Sequence, residues 1–287
     1  LDFVSFWARL VLVTSDPAAR PSLDKARLTG ANPELLPDLS IEVVDELAST
    51  NAAVAERARA GAPDGLVVVA DHQTAGRGRL DRSWESPAGT AVTFSMLLRP
   101  SAPTRSWPWL PLLTGYAVDK AMKANGLDAG VKWPNDVLVG ERKVAGILVE
   151  RVDTPSGPAA VVGVGINVGL THDELPVPQA TSLEIELGRP VDRTDVLVEV
   201  LSAVREAYDA WEAGGQAGGD EPTERLASSY AAACVTVGRD VRVDLPDGTV
   251  LSGAATGIDP DGRLVVVADG TTHAVAAGDV VHVRPAQ

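Results

Sequence analysis

Short apolar runs and amphipathic stretches alternate from residue 39 onward, the texture of an α/β or α+β chain. Residues 41–47 read as a strand, and 51–59 as a short alanine-rich helix whose start is marked by Ser49 and Thr50. A strongly apolar strand over 66–71 runs into a glycine- and arginine-rich loop, and another over 91–98 leaves it. Residues 109–125 predict a helix that stops near Gly126. Three strands are expected around 131–133, 137–139 and 144–150, separated by the turn formers Pro134-Asn135-Asp136 and Gly140-Glu141-Arg142. The strand over 159–168 is broken by Gly163 and Gly165, and glycine weakens a strand unless something must approach its backbone closely. A long amphipathic helix over 193–213, a flexible glycine-rich break over 214–219 and a second helix to about Ala233 complete this part.

Past Cys234 the pattern changes to short β runs at 240–245, 250–258, 264–267 and 280–283. Asp247-Gly248, Asp261-Gly262 and Asp269-Gly270 are strong hairpin signals, and a small antiparallel barrel is the natural packing. No catalytic constellation falls there, so its expected role is structural or docking. At the other end, Pro17, Pro21, Pro33 and Pro37 mark residues 15–38 as an irregular arm. Residues 1–14 are apolar, but Asp2 and Arg9 interrupt them and they are too short to span a bilayer. The expected division is an irregular extension over 1–38, a larger α+β domain over 39–233 and a β domain over 234–287.

Composition narrows the function. With 287 residues and 45% hydrophobic content, the chain is large enough for a real core. A net charge of −14 argues against a broad nucleic-acid surface, because phosphate neutralisation needs clustered Lys and Arg over a wide face. The single cysteine, Cys234, excludes an internal disulfide framework and fits a reducing, cytoplasmic setting. Neither DNA nor a membrane is an expected partner.

Against this acidic background, the stretch Gln73-Thr74-Ala75-Gly76-Arg77-Gly78-Arg79-Leu80-Asp81-Arg82-Ser83-Trp84 carries three arginines within six residues. Glycine lets backbone N–H groups approach an anion, and guanidinium forks add charge-assisted hydrogen bonds of roughly 1.5–3 kcal/mol each. Nucleotide handling follows as the first hypothesis. Ser49-Thr50-Asn51 supplies two hydroxyls and an amide at a helix start, of which capping explains one hydroxyl. Lys132-Trp133-Pro134-Asn135-Asp136 sets a lysine beside a tight turn, where a buried amine needs an anion. Asn167, after Gly163-Val164-Gly165-Ile166, offers an amide for a base edge.

Taken in order, these blocks resemble the biotin–protein ligases of the type without a DNA-binding domain. The resemblance rests on Ser49-Thr50-Asn51, the GRGR-x-x-R-x-W loop ending at Trp84, the KWPND block, Lys143-Val144-Ala145-Gly146-Ile147-Leu148 and Gly163-Val164-Gly165-Ile166-Asn167. Asp81 departs from the pattern, which usually has glycine there and so bears on how the loop folds over a ligand. The resemblance implies a mixed sheet flanked by helices, like that of class II aminoacyl-tRNA synthetases, with a small C-terminal SH3-like β-barrel.

It also implies a two-step reaction. Biotin and ATP, the latter with Mg²⁺, give biotinyl-5′-AMP; a lysine of a biotin carboxyl carrier domain then takes the biotinyl group. By the same resemblance, Ser49, Thr50, Asn51 and Gln73, with the backbone at Arg77 and Gly78, would hold the ureido ring, and Gly163 and Gly165 would let the bicycle pack on backbone. Arg79 and Lys132 would balance charge where carboxylate meets α-phosphate, as catalytic residues that also touch biotin. Arg77, Arg82 and Lys143 would make further contacts to ATP, and Asn167 would bind adenine. Asp136 would cap the turn or assist an ion or the incoming lysine. No protein metal site is expected, since no dense carboxylate cluster lies near the loop. Lipoate– or octanoate–protein ligases of the same fold take an acid without a ureido group and would not need the Ser49, Thr50 and Gln73 cluster. A biotin-dependent repressor would add an N-terminal DNA reader, against which the proline-rich arm and the acidity speak. A noncatalytic nucleotide-binding module would use the same arginines as ligand contacts alone.

Overall fold

Alternating burial along a seven-stranded sheet decides what lies on each of its faces. The computed structural model describes residues 20–29, 36, 38–80, 82–216 and 221–283. In chain order these form α1 (Lys25–Thr29), β1 (Ser40–Leu47), α2 (Thr50–Arg59), β2 (Leu66–Gln73), β3 (Gly76–Arg77), β4 (Ser83–Trp84) and β5 (Ala91–Leu98). There follow α3 (Trp109–Ala124), β6 (Ala129–Lys132), β7 (Asp136–Val139), β8 (Arg142–Thr154), β9 (Gly157–Asn167), α4 (Leu183–Leu187), α5 (Arg193–Gln216) and α6 (Glu221–Ala233). The C-terminal part contributes β10 (Asp240–Asp244), β11 (Val250–Ile258), β12 (Leu264–Ala268), β13 (Thr271–Val275) and β14 (Asp279–His282).

The main sheet runs β1-β2-β5-β9-β8-β7-β6; β1 and β2 are parallel and every other neighbouring pair is antiparallel. Side chains alternate between faces with period two. Val67, Val69, Phe94, Met96, Val162 and Val164 therefore join a core shared with α3 and α5, whereas Val68, Leu97, Ala159 and Val161 join a smaller one under α2. The larger core continues without interruption into Val241, Val243, Leu264 and Val266 of the C-terminal sheet. Trp109 Nε1 donates to Pro260 O at 2.8 Å and Trp133 Nε1 to Gly262 O at 3.0 Å, so two buried indoles seal that junction.

Several sequence expectations need correction. The arm before residue 39 is not irregular throughout: Leu23 and Leu28, on or beside α1, are buried in the main core. Arg193 holds this segment by donating to Pro21 O at 2.7 Å while it also reaches Asp71 Oδ1 at 2.7 Å and Ala91 O at 3.0 Å. The glycine break expected from 214 begins later, because α5 runs on to Gln216. A helical glycine costs only about 1 kcal/mol relative to alanine, too little to stop a helix of this length. In the C-terminal part the sequence pattern misses β13, whose Thr271, Thr272, His273 and Ala274 are all exposed and carry no apolar alternation. The Asp269-Gly270 turn before it has positive φ at both residues, 49° and 76°, the backbone that a two-residue hairpin requires. These strands form an antiparallel sheet ordered β13-β12-β11-β10-β14, with β13 and β14 at its edges and no pairing between them among the described residues. Residues 1–19 and Asp81 lie outside the described residues.

Candidate active site

The face of the sheet that α2 covers is apolar only at one end. Along β9 the residues on that face are Ala159, Val161, Gly163 and Gly165; along β8 they are Val152, Glu150, Leu148 and Gly146; along β5 they are Leu97 and Ser95. Toward the start of α2 the floor thus loses its side chains and turns polar. A cleft of about 120 Å³ opens there and continues into a wider vestibule of about 400 Å³ bounded by Arg77, Arg79, Arg82, Leu148 and Glu150. Ser49, Thr50, Asn51, Gln73, Arg77, Gly78, Arg79, Arg82, Lys143, Gly163 and Gly165 all line the cleft. Lys132 and Asn167 are not in its lining.

At the inner end the start of α2 is wired to the floor. Ser49 is the cap, with extended backbone and its hydroxyl accepting from Ala52 N. Thr50 is therefore free for other work: its N and Oγ1 both donate to Gln73 Oε1, at 2.8 and 3.1 Å. Ser95 Oγ lies 2.6 Å from Asn51 Oδ1 and 2.7 Å from Thr50 Oγ1. Asn51 Oδ1 can only accept, so the Ser95 proton goes to it and the Thr50 proton is shared between Ser95 and Gln73. Gln73 Nε2 donates to no group among the described residues, which leaves an amide aimed at whatever enters.

The arginine stretch is a small hairpin. Gly76 pairs with Trp84 and Arg77 with Ser83, and Gly78 N donates to Arg82 O at 2.6 Å. Its three guanidiniums go to different places. Arg77 Nη2 donates to Glu150 Oε2 at 2.8 Å, Arg79 Nη1 to Asn135 Oδ1 at 3.0 Å, and Arg82 pairs with Asp279. Burial pulls the Arg79 guanidinium below its ordinary pKa, against the Asp136 and Asp279 carboxylates, whereas the hydrogen bond that Arg82 donates to Asp279 raises that of Arg82. Asn135 is itself fixed to β8, its Nδ2 donating to Ile147 O at 2.8 Å and its carbonyl accepting from Ile147 N at 2.9 Å.

Trp84 ends the hairpin with its ring on the glycine strip. A Cβ at Gly165 would stand 2.5 Å from Trp84 Cε2, and one at Gly146 3.2 Å from Cζ3. Gly163 is bare for a different reason, since Asn51 Oδ1 would lie 2.0 Å from a Cβ there. Lys143 Nζ sits 5.7 Å from the centre of the Trp84 ring and 2.6 Å from Asp136 Oδ1, an ion contact at an angle outside that of a hydrogen bond. Lys132 stands at the end of β6, across the hairpin from Asp136, and makes no hydrogen bond or ion pair among the described residues. Asn167 is buried with its Nδ2 donating to Thr181 O at 3.0 Å.

Sequence reasoning missed Ser95, Asn135, Glu150 and Asp279 as parts of this site. Asp279 brings the β-rich tail, expected to be structural or docking, to the cleft: its carboxylate lines it, and the carbonyl of neighbouring Gly278 lies 3.5 Å from Arg79 Nη2. Nothing local in the chain announces it; Arg82 and Asp279 are 197 residues apart. No helix among the described residues is long and apolar enough to cross a membrane.

Fold and cleft together define a protein of the class that joins a small carboxylic acid to another protein. The chain belongs to the Biotin/lipoate A/B protein ligase family, whose family model matches residues 43–167, while residues 236–283 match the Biotin protein ligase C terminal domain. Within that family it is similar to biotin ligases. It is 39% identical over 251 residues to the biotin–[acetyl-CoA-carboxylase] ligase of Mycobacterium tuberculosis, covering 85% of this chain and 89% of that one. It is 36% identical over 227 residues to the bifunctional ligase/repressor BirA of Bacillus subtilis, covering 77% of this chain and 67% of that one. Among solved structures, the biotin protein ligase of Aquifex aeolicus in complex with biotin and ATP superposes with a TM-score of 0.72 at 27% identity, over 85% of this chain and 99% of the other.

Proposed function

We propose that this protein is an ATP-dependent biotin–protein ligase. Biotin carboxylate attacks the α-phosphate of ATP, giving biotinyl-5′-AMP and pyrophosphate; a carrier lysine amine then attacks the acyl carbon and AMP leaves. The observation that carries this reading is one cleft with a side-chain-free glycine floor, an inner end of unspent polar donors and a cationic rim. Gln73 Nε2 and the Ser49 hydroxyl face a ureido carbonyl, and the bicycle lies at the edge of the Gly163–Gly165 strip, beside the Asn51 amide and the Trp84 ring. Arg79 and Lys132 hold the two anions together where carboxylate meets phosphate, a repulsive approach without fixed cations.

Arg77, Arg82 and Lys143 take the remaining phosphate or carboxylate contacts. Asn167 meets adenine through Oδ1, since its Nδ2 is engaged by Thr181. Mg²⁺ would accompany ATP and add positive charge at its phosphates, beside Arg77, Arg82 and Lys143. Residues 39–233 carry the chemistry, and the part from 234 onward closes the cleft through Asp279. The partner is the carrier domain of a biotin-dependent carboxylase. DNA is not a partner in this reading, given the charge of −14, and the reaction is placed in the cytoplasm, where the buried free thiol of Cys234 is at home.

A lipoate or octanoate ligase would leave Gln73 Nε2 and the Ser49 hydroxyl without a ureido partner, and polar groups left unpaired select strongly against such a substrate. Mass spectrometry of the purified protein with ATP, a carrier domain and either biotin, lipoate or octanoate tests the choice. One biotinyl addition to the carrier is expected, with none from the aliphatic acids. Lipoyl or octanoyl addition without biotinylation would overturn the proposal.

A further inference from the structure

We propose that Glu150 is a positioning residue of this cleft: it fixes the Asn51 amide in one orientation, holds Arg77 across the mouth and thereby sets affinity for the bicyclic acid. The inference rests on the ligase reading above and adds a residue to it.

Glu150 follows Leu148 by two positions and Gly146 by four on β8, so its carboxylate stands on the cleft face, where β8 is otherwise apolar or bare. Its Oε2 accepts from Asn51 Nδ2 at 2.7 Å and from Arg77 Nη2 at 2.8 Å. Asn51 is 4% exposed, and its polar capacity is spent in an ordered way. Oδ1 accepts from Ser95, and it lies so close to Gly163 that it would meet a Cβ there. Nδ2 donates to Glu150 and, at a longer 3.3 Å, to Leu148 O. Two acceptors on one side and a hydroxyl donor on the other determine which end of the amide faces where. A flipped amide would turn its oxygen toward both Leu148 O and the carboxylate, an acceptor against two acceptors. Without the carboxylate the flip is opposed by the long bond to Leu148 and by the Ser95 hydroxyl, which can turn its proton to Thr50 Oγ1 instead.

The two contacts of Glu150 differ in weight. Arg77 and Glu150 are 48% and 32% exposed, and an ion pair so open to water contributes little. The charge-assisted bond to the buried amide is the stronger one. Glu150 therefore acts chiefly through Asn51, at the end of the cleft where the ureido ring sits, and touches no reacting atom.

Calorimetric titration of biotin into the full chain tests this with wild type, Glu150→Ala, Glu150→Gln, Asn51→Ala and the Glu150→Ala/Asn51→Ala pair. Glu150→Ala should weaken biotin binding about tenfold, the scale of one charge-assisted hydrogen bond. Glu150→Gln should lose less, about threefold, because its amide oxygen still accepts from Asn51 while the charge opposite Arg77 is gone. In the Asn51→Ala background, Glu150→Ala should cost nothing further. A thermal melt checks folding, and if Glu150→Ala fails to fold, the glutamine variant carries the comparison. Unchanged affinity in the folded variants, or a Glu150→Ala loss of full size without Asn51, would overturn the inference and leave the ligase reading intact. A wild-type isotherm with no biotin binding would overturn that reading and the inference together.

Discussion

Gly165 lies against the indole of Trp84 so closely that a Cβ on the glycine would stand 2.5 Å from Trp84 Cε2 and 2.9 Å from Nε1. The glycine strip of β9 and the last residue of the arginine hairpin are therefore one fitted surface. Trp84 cannot retreat freely, because its backbone pairs with Gly76. Gly165→Ala should destabilise the protein by about 1–3 kcal/mol, the usual cost of overpacking, and weaken biotin binding by displacing the hairpin. In a Trp84→Ala background the same substitution should be nearly neutral. Denaturant unfolding of the four proteins in this cycle measures the coupling, and equal costs in both backgrounds would refute the contact's importance.

Lys132 is a cation without a hydrogen-bond or ion-pair partner among the described residues, at the end of β6 opposite Asp136 of the cleft lining. An unspent charge near the meeting point of two anions is available to the transition state. Lys132→Ala should lower the adenylation rate by roughly 10²–10³, the scale of removing one preorganised electrostatic stabiliser. Pyrophosphate release at the wild-type rate would remove Lys132 from the proposed mechanism.

The arginine hairpin is tied down by polar contacts at Glu150, Asn135 and Asp279, while Leu80 near its tip is 61% exposed. Such contacts open more readily than a packed apolar anchor. Amides between Gly76 and Ser83 should exchange faster than those of β9 in the free protein and gain protection with biotin and ATP. Hydrogen exchange with and without ligands reads this directly; equal protection in both states would count against closure over the ligand.

His282 links the C-terminal sheet to the KWPND hairpin. Its side chain is 7% exposed, and its Nε2 lies 3.1 Å from Thr236 Oγ1, which accepts from Trp133 N. Its Nδ1 faces Glu141 Oε2 at 3.6 Å and Arg239 Nη1 at 3.5 Å. Burial holds this imidazole below its ordinary pKa of 6.5, with Lys132 and Arg239 acting the same way and Glu141 opposing. A lowered folded-state pKa means the unfolded chain binds more protons below pH 6.5, so the contribution is complete above that pH and is lost as pH falls toward the folded value. The melting temperature should therefore drop more steeply below pH 6.5 in wild type than in His282→Gln. Parallel curves would show that the imidazole is not the group responsible.

Local chemistry alone determined much of this protein. The strand over Ala91–Leu98 is legible to the residue because its largely apolar run, broken only by Thr93 and Ser95, is bounded by Thr90 and Arg99. The cap at Ser49, the Asp-Gly turns and the family blocks around Arg79 and Lys132 are likewise short-range signals that survive in one dimension. What only the tertiary structure decided is the company each residue keeps. Glu150 reads as an ordinary strand carboxylate until β8 brings it to Asn51, 99 residues away. Asp279 stands just before the last β run of a separate β domain, with nothing to mark it, until the continuous core folds that domain against Arg82. Gly163 and Gly165 read as weak points in a strand, and their cause lies in Asn51 and Trp84, which arrive from α2 and from the hairpin. Periodicity records how much of a residue is buried and on which face; which partner waits there depends on strand order and register, and those are settled by packing between segments far apart in the chain.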